Sequence, residues 1–214
     1  GSCDLFISRR IGDRWTPAEN LGSPVNTWNW ESQPSMGSDG RTLYFVRGSQ
    51  AADGLKNMDI YVTKLGENGT FSKPERLGDN VNTPGQEESV QIHPDGKTRY
   101  FIIDGHPGMG GEDIFVSHMQ PDGAWGPAQN LGYPINTSAD DNSVLVGTDG
   151  QVAYFASDRP GGMGDLDLYS FVLPEQDRAN AVGYIRGRVT DRSNGKPVEA
   201  DVELYDLASG ILAT

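Results

Sequence analysis

Cysteine and long apolar runs are both scarce in this chain of 214 residues. The single Cys3 cannot form an internal disulfide, and one cysteine does not distinguish a reducing compartment from a disulfide-poor periplasm. No stretch approaches the ~20 apolar residues of a membrane-spanning helix, and the first ten residues lack a signal peptide's apolar core. We therefore expect no direct membrane span, in a protein that is either cytoplasmic or has lost its true N-terminus.

Basic residues are also few, since 17 lysines and arginines stand against 30 aspartates and glutamates, for a formal net charge of −13. They are scattered along the chain and form no basic stripe. Phosphate backbones and anionic lipid surfaces repel such a chain. Neither nucleic acid nor a membrane surface is therefore an expected partner.

The short strings that mark common catalytic and cofactor sites are missing. The sequence contains no G-x-S-x-G nucleophile elbow, no HExxH zinc motif and neither of the two glycine-rich phosphate-binding patterns. His93, His106 and His118 lack metal-ligand spacing and are interpreted as surface or turn residues. We expect no enzymatic activity, no catalytic residues, no cofactor and no metal site.

What the chain does contain is an internal repeat of about 54 residues. The tripeptide Asp-Leu-Phe at 4–6 returns as Asp-Ile-Tyr at 59–61, Asp-Ile-Phe at 113–115 and Asp-Leu-Tyr at 167–169. Leu-Gly pairs and Asn-Thr pairs keep the same register, beginning at Leu21, Leu77 and Leu131 and at Asn26, Asn82 and Asn136. So many markers in one register indicate a repeat architecture.

Each repeat predicts four strands. Asp-Gly pairs at Asp39, Asp95 and Asp149 separate two β-like runs, which is a strong hairpin signal. Strands are expected near residues 32–37, 42–47, 58–64 and 70–77, with the same pattern one repeat later. No connection is long enough for a crossover helix, so the predicted fold class is all-β, a propeller of four-stranded antiparallel blades. The tyrosines that recur in mid-strand, Tyr44, Tyr100 and Tyr154, are expected to pack between blades.

These motifs resemble the WD40-like PD40 blades, which are related to those of TolB. The resemblance covers residues 1 to 173 and is carried by "GSDGRTLYF", "HPDGKTRYF" and "GTDGQVAYF", followed by "GGEDIFVS" or "GDLDLYS". The linker "AWGPAQNLGYPINT" looks like the version found in OmpA-family envelope proteins. The chain departs from the pattern at Arg99 and Ala153, where leucine is expected, and in "FSKPERLGDNVNT", which lacks the tryptophan.

The sequence changes character after the propeller repeats. Residues 174–183 are interpreted as a linker, and residues 184–214 resemble the start of a carboxypeptidase-regulatory-like β-sandwich, with a turn at Asn194 and Gly195. Propeller blades followed by such a module resemble the peptidoglycan-anchored OmpA-family component of the type IX secretion system. That resemblance implies a periplasmic, outer-membrane-associated protein.

Three sets of residues are candidates for a functional role. The repeated acids Asp4, Asp59, Asp113 and Asp167 are interpreted as structural acceptors for backbone amides, with calcium binding as the less favoured alternative. A second acidic series recurs at Glu31, Glu87 and Asp141. Trp28 and Trp30 occur in only one of three aligned loops, so they predict either a protein- or glycan-contacting patch or cover for a blade edge.

Two functions remain open from the sequence. The first is a non-catalytic periplasmic scaffold that binds other envelope proteins, and peptidoglycan through domains absent from this chain. The second is a glycan-binding or glycan-processing propeller. A further alternative, the regulatory propeller of a peptidase, requires a hydrolase domain elsewhere in the parent gene. We also expect the chain to be part of a larger protein, because it begins at the third strand of one blade and ends after the third strand of another. The missing blades are expected upstream.

Overall fold

The computed structural model describes residues 3–184 and 187–205, and the chain divides into two compact units, residues 1–182 and 183–214. The strands of the described residues are β1 Phe6–Ile7, β2 Arg10–Ile11, β3 Arg14–Trp15, β4 Glu19–Asn20, β5 Trp30–Met36, β6 Thr42–Ala51, β7 Gly54–Lys64, β8 Glu75–Arg76, β9 Glu87–Ile92, β10 Thr98–Ile103, β11 Asp113–His118, β12 Gln129–Asn130, β13 Asp141–Val146, β14 Val152–Ser157 and β15 Asp167–Val172. A 3-10 turn, Glu175–Asp177, follows β15. No helix of the described part is long and apolar enough to cross a membrane.

The strands of the first unit form consecutive antiparallel sheets, which we call blades A to D. Blade B is β5-β6-β7-β8 and blade C is β9-β10-β11-β12, while blade D contains β13-β14-β15. Blade A consists of β1 paired with β4, and β2 pairs with β3 in a separate small hairpin. The predicted all-β propeller architecture is confirmed, with four antiparallel strands in both blades B and C.

The fourth strand is the one whose predicted length differs most from the structure. It was expected over residues 70–77, but only β8 pairs continuously, and Phe71 adds one isolated bridge to Leu65. Pro74 lies between these two points and has no N–H to donate. The outermost strand of the blade is therefore interrupted, as proline permits at a sheet edge.

The Asp-Gly turns close the hairpins as predicted. Asp39 accepts hydrogen bonds from the backbone N–H of Arg41 at 2.9 Å and of Thr42 at 2.8 Å. Gly40 adopts a φ of 63°, a left-handed conformation that glycine reaches without steric cost. Local turn chemistry therefore fixes the register of β5 against β6.

Among the described residues, three hydrophobic clusters hold the blades together, one at each junction between neighbouring blades. The cluster between blades C and D contains Tyr100 and Phe155, and the cluster between B and C contains Val46 and Phe101. A smaller cluster joins blade A to blade B. Every residue of β10 is buried because it faces blade B on one side and blade D on the other.

The free face of blade D shows the same apolar pattern without a covering blade. Tyr44 and Tyr100 are buried, as expected for inter-blade packing, but their counterpart Tyr154 is half exposed. On the same face, Leu168 is 86% exposed although the aligned Ile60 and Ile114 are fully buried. The repeat thus places an apolar row where no further blade of the described chain covers it.

Residues 174–182 pack within the first unit. The Tyr100 hydroxyl donates to the carbonyl of Asp177 at 2.8 Å, and the backbone N–H of Asn180 donates to Asp95 at 2.9 Å. The N–H of Val182 bonds to the carbonyl of Thr148. This segment, interpreted from sequence as a linker, is therefore held by specific hydrogen bonds.

The second unit is described over residues 183–184 and 187–205. Its turn at Asn194 and Gly195 brings Thr190 opposite Pro197 in an isolated antiparallel bridge. Residues 185–186 and 206–214 of the predicted β-sandwich module lie outside the described residues. The sandwich assignment stays a prediction.

Candidate functional site

The asparagine of each Asn-Thr pair is buried, and its side-chain amide forms the two hydrogen bonds that a neighbouring strand residue would form. In the first copy, Asn26 accepts a hydrogen bond from the N–H of Leu5 and donates one to its carbonyl, both at 2.9 Å. Asn82 bonds in the same way to Ile60, and Asn136 to Ile114. A side-chain amide thus pairs with both backbone groups of a third-strand residue, whose carbonyl also accepts the N–H of the leucine that follows the fourth strand.

The threonine of each pair is bound by the acid that opens the next blade. Glu31, Glu87 and Asp141 are all buried, and each accepts hydrogen bonds from the backbone N–H and the hydroxyl of a threonine. In blade C these bonds join Glu87 Oε1 to Thr83 at 2.8 and 2.7 Å. The second acidic series therefore anchors the loop between blades.

In blade B this acid also binds an arginine, through the oxygen that accepts from the Thr27 hydroxyl. Nε of Arg47 lies 2.8 Å from Oε1 of Glu31, and its terminal nitrogen donates to the carbonyl of Val25 at 2.8 Å. The guanidinium also lies over two aromatic rings, 5.3 Å from the centroid of Phe45 and 4.9 Å from that of Tyr61. Charge pairing, hydrogen bonding and cation–π attraction all act on one group.

Blade D contains the same arrangement with an arginine from a different position of the repeat. Arg159 lies 2.6 Å from Asp141 and donates to the carbonyl of Ile135 at 2.6 Å. Its guanidinium lies 4.7 Å from the ring centroid of Phe155 and 5.0 Å from that of Tyr169. Blades B and D therefore contain equivalent guanidinium-binding places, and each is filled by an arginine of the same blade.

Blade C keeps the acid and the aromatic pair but has no arginine there. Ile103 and Gly105 stand at the repeat positions of Arg47 and Arg159. Glu87 Oε2 consequently has no hydrogen-bond partner within the described chain. Burial raises the pKa of Glu87 to about 7, although the bonds from Thr83 oppose the shift.

An open cleft of about 540 Å³ lies beside this position. It is lined by Thr83, Gly105 and His106, with Arg76 and Asp79 also on its wall, and we call it the blade C cleft. The imidazole of His106 lies 5.4 Å from the ring of Phe115. Its Nε2 atom is buried and, within the described chain, unpartnered.

The third-strand acids have separate local partners. Asp113 accepts from the N–H of Met109 at 2.6 Å, and Asp167 from that of Met163 at 2.6 Å, which is the amide-acceptor role expected of this series. Two further members use side-chain partners instead. Asp59 pairs with Arg76 at 2.8 Å, and Asp4 accepts from Asn20 at 2.8 Å. No group of three or more potential metal-binding side chains occurs among residues 3–184 and 187–205.

The two tryptophans have different environments. Trp28 is 98% exposed, whereas Trp30 is partly buried against the hydrophobic cluster between blades B and C. Trp30 is the first residue of β5 and pairs with Gly48. The structure therefore does not bring the two indoles into one exposed patch.

A carboxyl pair in blade C was missed by the sequence analysis. Burial, and then the adjacent Glu88 carboxylate, raise the pKa of Glu112 to about 8. Asn142 of blade D donates from the same Nδ2 atom to both carboxylates. The available signal was that neither glutamate recurs in the other repeats, where the aligned residues are uncharged.

Comparison with known proteins finds similarity only among solved structures. No family model and no curated protein matches this chain. TolB from Acinetobacter baumannii matches over 91% of this chain with 17% identity and a TM-score of 0.44. An alpha-L-arabinofuranosidase from Lactobacillus brevis matches over 83% with 14% identity and a TM-score of 0.41. A prolyl endopeptidase matches over 87% with 12% identity and a TM-score of 0.35.

The chain spans 45%, 64% and 36% of the length of these three structures, respectively. The assignment of β-propeller blades rests on the strand order and pairing of the chain itself. The likenesses carry no argument about activity, substrate or partner.

Proposed function

We propose that this chain is part of a non-catalytic interaction scaffold of the bacterial envelope, located in the periplasm and associated with the outer membrane. The observation that carries the proposal is that the repeated acids bind backbone amides and arginines of the blades themselves. Both series are engaged in hydrogen bonds and ion pairs within the blade framework. The polar residues that recur in every blade therefore support the fold, and function falls to features that individual blades do not share.

The proposed setting follows from the order of the two sequence resemblances. PD40-type blades that precede a carboxypeptidase-regulatory-like module occur in the peptidoglycan-anchored OmpA-family component of the type IX secretion system. In that setting the propeller binds other envelope proteins, and peptidoglycan is bound by domains outside this chain. The net charge of −13 favours partners with basic surfaces.

A glycan-binding or glycan-processing propeller is the second candidate, and the carboxyl pair of Glu88 and Glu112 is the observation that favours it. Glycosidases that retain configuration hold their two carboxyl groups about 5 Å apart, and inverting enzymes hold them further apart. Glu88 and Glu112 are instead bridged by one amide nitrogen, Nδ2 of Asn142, which donates to both carboxylates. This amide occupies the space where a glycosidic bond would lie, so the scaffold is the better-supported proposal.

We predict no hydrolytic turnover by this chain. The measurement is release of product from glycoside, ester and peptide libraries at pH 5 and pH 8, with the Glu112→Gln variant as a matched control. Both proteins should give only the background rate, because the raised pKa of Glu112 reflects burial beside Glu88. Turnover by the parent chain that disappears in the variant would show that the glycan-processing alternative is correct.

Trp28→Ala and Trp30→Ala should have different effects. Trp28 is exposed, so its replacement should leave the midpoint of thermal unfolding unchanged and reduce capture of envelope proteins by immobilised chain. Trp30 is partly buried, so its replacement should lower the free energy of unfolding by about 1.5 kcal/mol. Captured proteins are quantified by mass spectrometry against the parent chain. Unchanged capture by a folded Trp28→Ala variant would remove Trp28 from the interaction surface.

A further inference from the structure

The junctions that precede blades B, C and D differ in one component. All three contain a buried acid on the first strand and an aromatic pair on the second and third strands. In blades B and D an arginine of the chain binds the acid and lies over the aromatic pair. In blade C the acid is Glu87 and the aromatic pair is Phe101 and Phe115, whose rings stack at 6.3 Å. Arg99 lies 5.9 Å from the ring centroid of Phe101, but no arginine of the described residues forms an ion pair with Glu87.

We propose that the blade C cleft binds a guanidinium group, supplied by an arginine side chain of a partner protein. The inference rests on the proposed scaffold function and names the chemistry by which one partner is recognised. Glu87 Oε2 would accept the hydrogen bond that Glu31 and Asp141 accept from Arg47 and Arg159.

The chemistry of the place selects for arginine. A buried, unpaired carboxylate such as Glu87 raises the free energy of the folded chain. A cation that pairs with it removes this cost, so the place favours a positively charged ligand. The aromatic pair favours a planar cation that stacks, and a guanidinium does this better than an ammonium group. The two intramolecular examples in blades B and D show that the geometry of this fold accommodates a guanidinium.

The cleft reaches the residue that binds Glu87, while Glu87 itself is fully buried and does not line it. Thr83 lines the cleft and is also the residue that binds the other oxygen of Glu87. Gly105 also lines the cleft and stands at the repeat position of Arg159. A Cβ added at Gly105 would clash with the hydroxyl oxygen of Thr83, so this position of blade C has no space for a side chain like that of Arg159.

His106 occupies part of the place in the unbound chain. Its ring lies on Phe115 where the guanidiniums of Arg47 and Arg159 lie on Tyr61 and Tyr169, but it forms no ion pair with Glu87 within the described chain. An incoming guanidinium therefore displaces the imidazole and moves residues 104–106. Truncation of this side chain in His106→Ala should leave arginine binding intact or strengthen it.

The test is an NMR titration of the ¹⁵N-labelled chain at pH 8 with a capped tripeptide, glycine-arginine-glycine. The probe controls are the same peptide with lysine and with citrulline, which keeps the arginine shape but has no charge. We expect saturable shifts of the Thr83 and Gly105 amides with the arginine peptide, binding at least about tenfold weaker with lysine, and no saturation with citrulline. Equal shifts from arginine and citrulline, or no saturation up to about 10 mM arginine peptide, would overturn the proposal.

Variants locate the site. Glu87→Gln should weaken arginine binding at least about tenfold, whereas Glu112→Gln, which alters another acid of raised pKa, should not. Ile103→Arg should abolish binding by filling the place from within, as Arg47 does in blade B. Undiminished arginine binding by Glu87→Gln would refute the site. If that variant does not fold, the proposal is tested by the loss of arginine binding in Ile103→Arg and by the absence of binding of the citrulline peptide to the parent chain. The scaffold function is tested separately, by capture of envelope proteins and by assays for turnover. The arginine site and the scaffold function can therefore fail independently.

Discussion

Replacing Asp141 with asparagine is expected to lower the free energy of unfolding by about 3 kcal/mol, because it leaves a largely buried arginine without its counter-ion. Asp141 accepts from both Arg159 and Ser157 through the same oxygen, and an amide nitrogen there would face two donors. Glu31→Gln should have a similar cost, since Arg47 depends on Glu31 in the same way.

The corresponding change in blade C, Glu87→Gln, is expected to have the opposite sign. Glutamate titrates near 4.5 in the unfolded chain, and burial raises the pKa of Glu87 to about 7 in the folded chain. The folded state therefore holds the proton more tightly, and the carboxylate destabilises it progressively as the pH rises from 4.5 to 7. The maximum penalty is about 3 kcal/mol above pH 7, from 1.36 kcal/mol for each pKa unit.

These stabilities are measured by urea unfolding of the parent chain and the three variants at pH 4.5 and pH 8. Glu87→Gln should be close to the parent at pH 4.5 and more stable than the parent at pH 8. Asp141→Asn and Glu31→Gln should be less stable than the parent at pH 8. If Glu87→Gln destabilises the chain at pH 8 as much as Glu31→Gln does, Glu87 already has a cationic partner.

Ile114→Ala should lower the free energy of unfolding by about 3 kcal/mol, whereas Leu168→Ala should change it by less than about 0.5 kcal/mol. The two residues occupy the same position of the repeat. Ile114 is fully buried between blades C and D, but Leu168 is 86% exposed on the free face of blade D. Truncation of Ile114 leaves a cavity, while truncation of Leu168 removes atoms that already contact solvent.

Urea unfolding of both variants tests this pair, and Ile60→Ala is a third member that should behave like Ile114→Ala because Ile60 is also fully buried. The Leu168→Ala variant should also associate less at high concentration, because the exposed apolar face becomes smaller. Sedimentation measures that association. A cost for Leu168→Ala as large as that for Ile114→Ala would mean that blade D is covered in solution.

Much of the fold followed from local patterns. The Asp-Gly turns located the hairpins because their chemistry acts within four residues, as the bonds of Asp39 to residues 41 and 42 show. The period of the repeat located the blades because every blade must present similar apolar rows to its neighbours. The fourth strand was less predictable, since its pairing depends on where Pro74 interrupts an edge.

The separation of the two tryptophans was decided by packing. Both stand in the same connecting segment, and the sequence gives no signal that one of them turns inward. Trp30 is the first residue of β5 and its side chain packs on the cluster between blades B and C, whereas Trp28 precedes that strand in the loop. Side-chain direction follows from the pairing of β5 with β6, which is a property of the sheet.

By itself, the sequence determined the period, the turns and the all-β blades, because these depend on contacts between residues that are close along the chain or one repeat apart. Only the tertiary structure revealed that Arg47 and Arg159 fill equivalent places. They stand at different positions of the repeat, so alignment of the copies separates them. A guanidinium on a long side chain reaches the same carboxylate from two backbone positions. Only in three dimensions is it apparent that, in the part of the chain that the structure describes, blade C retains Glu87 without such a partner.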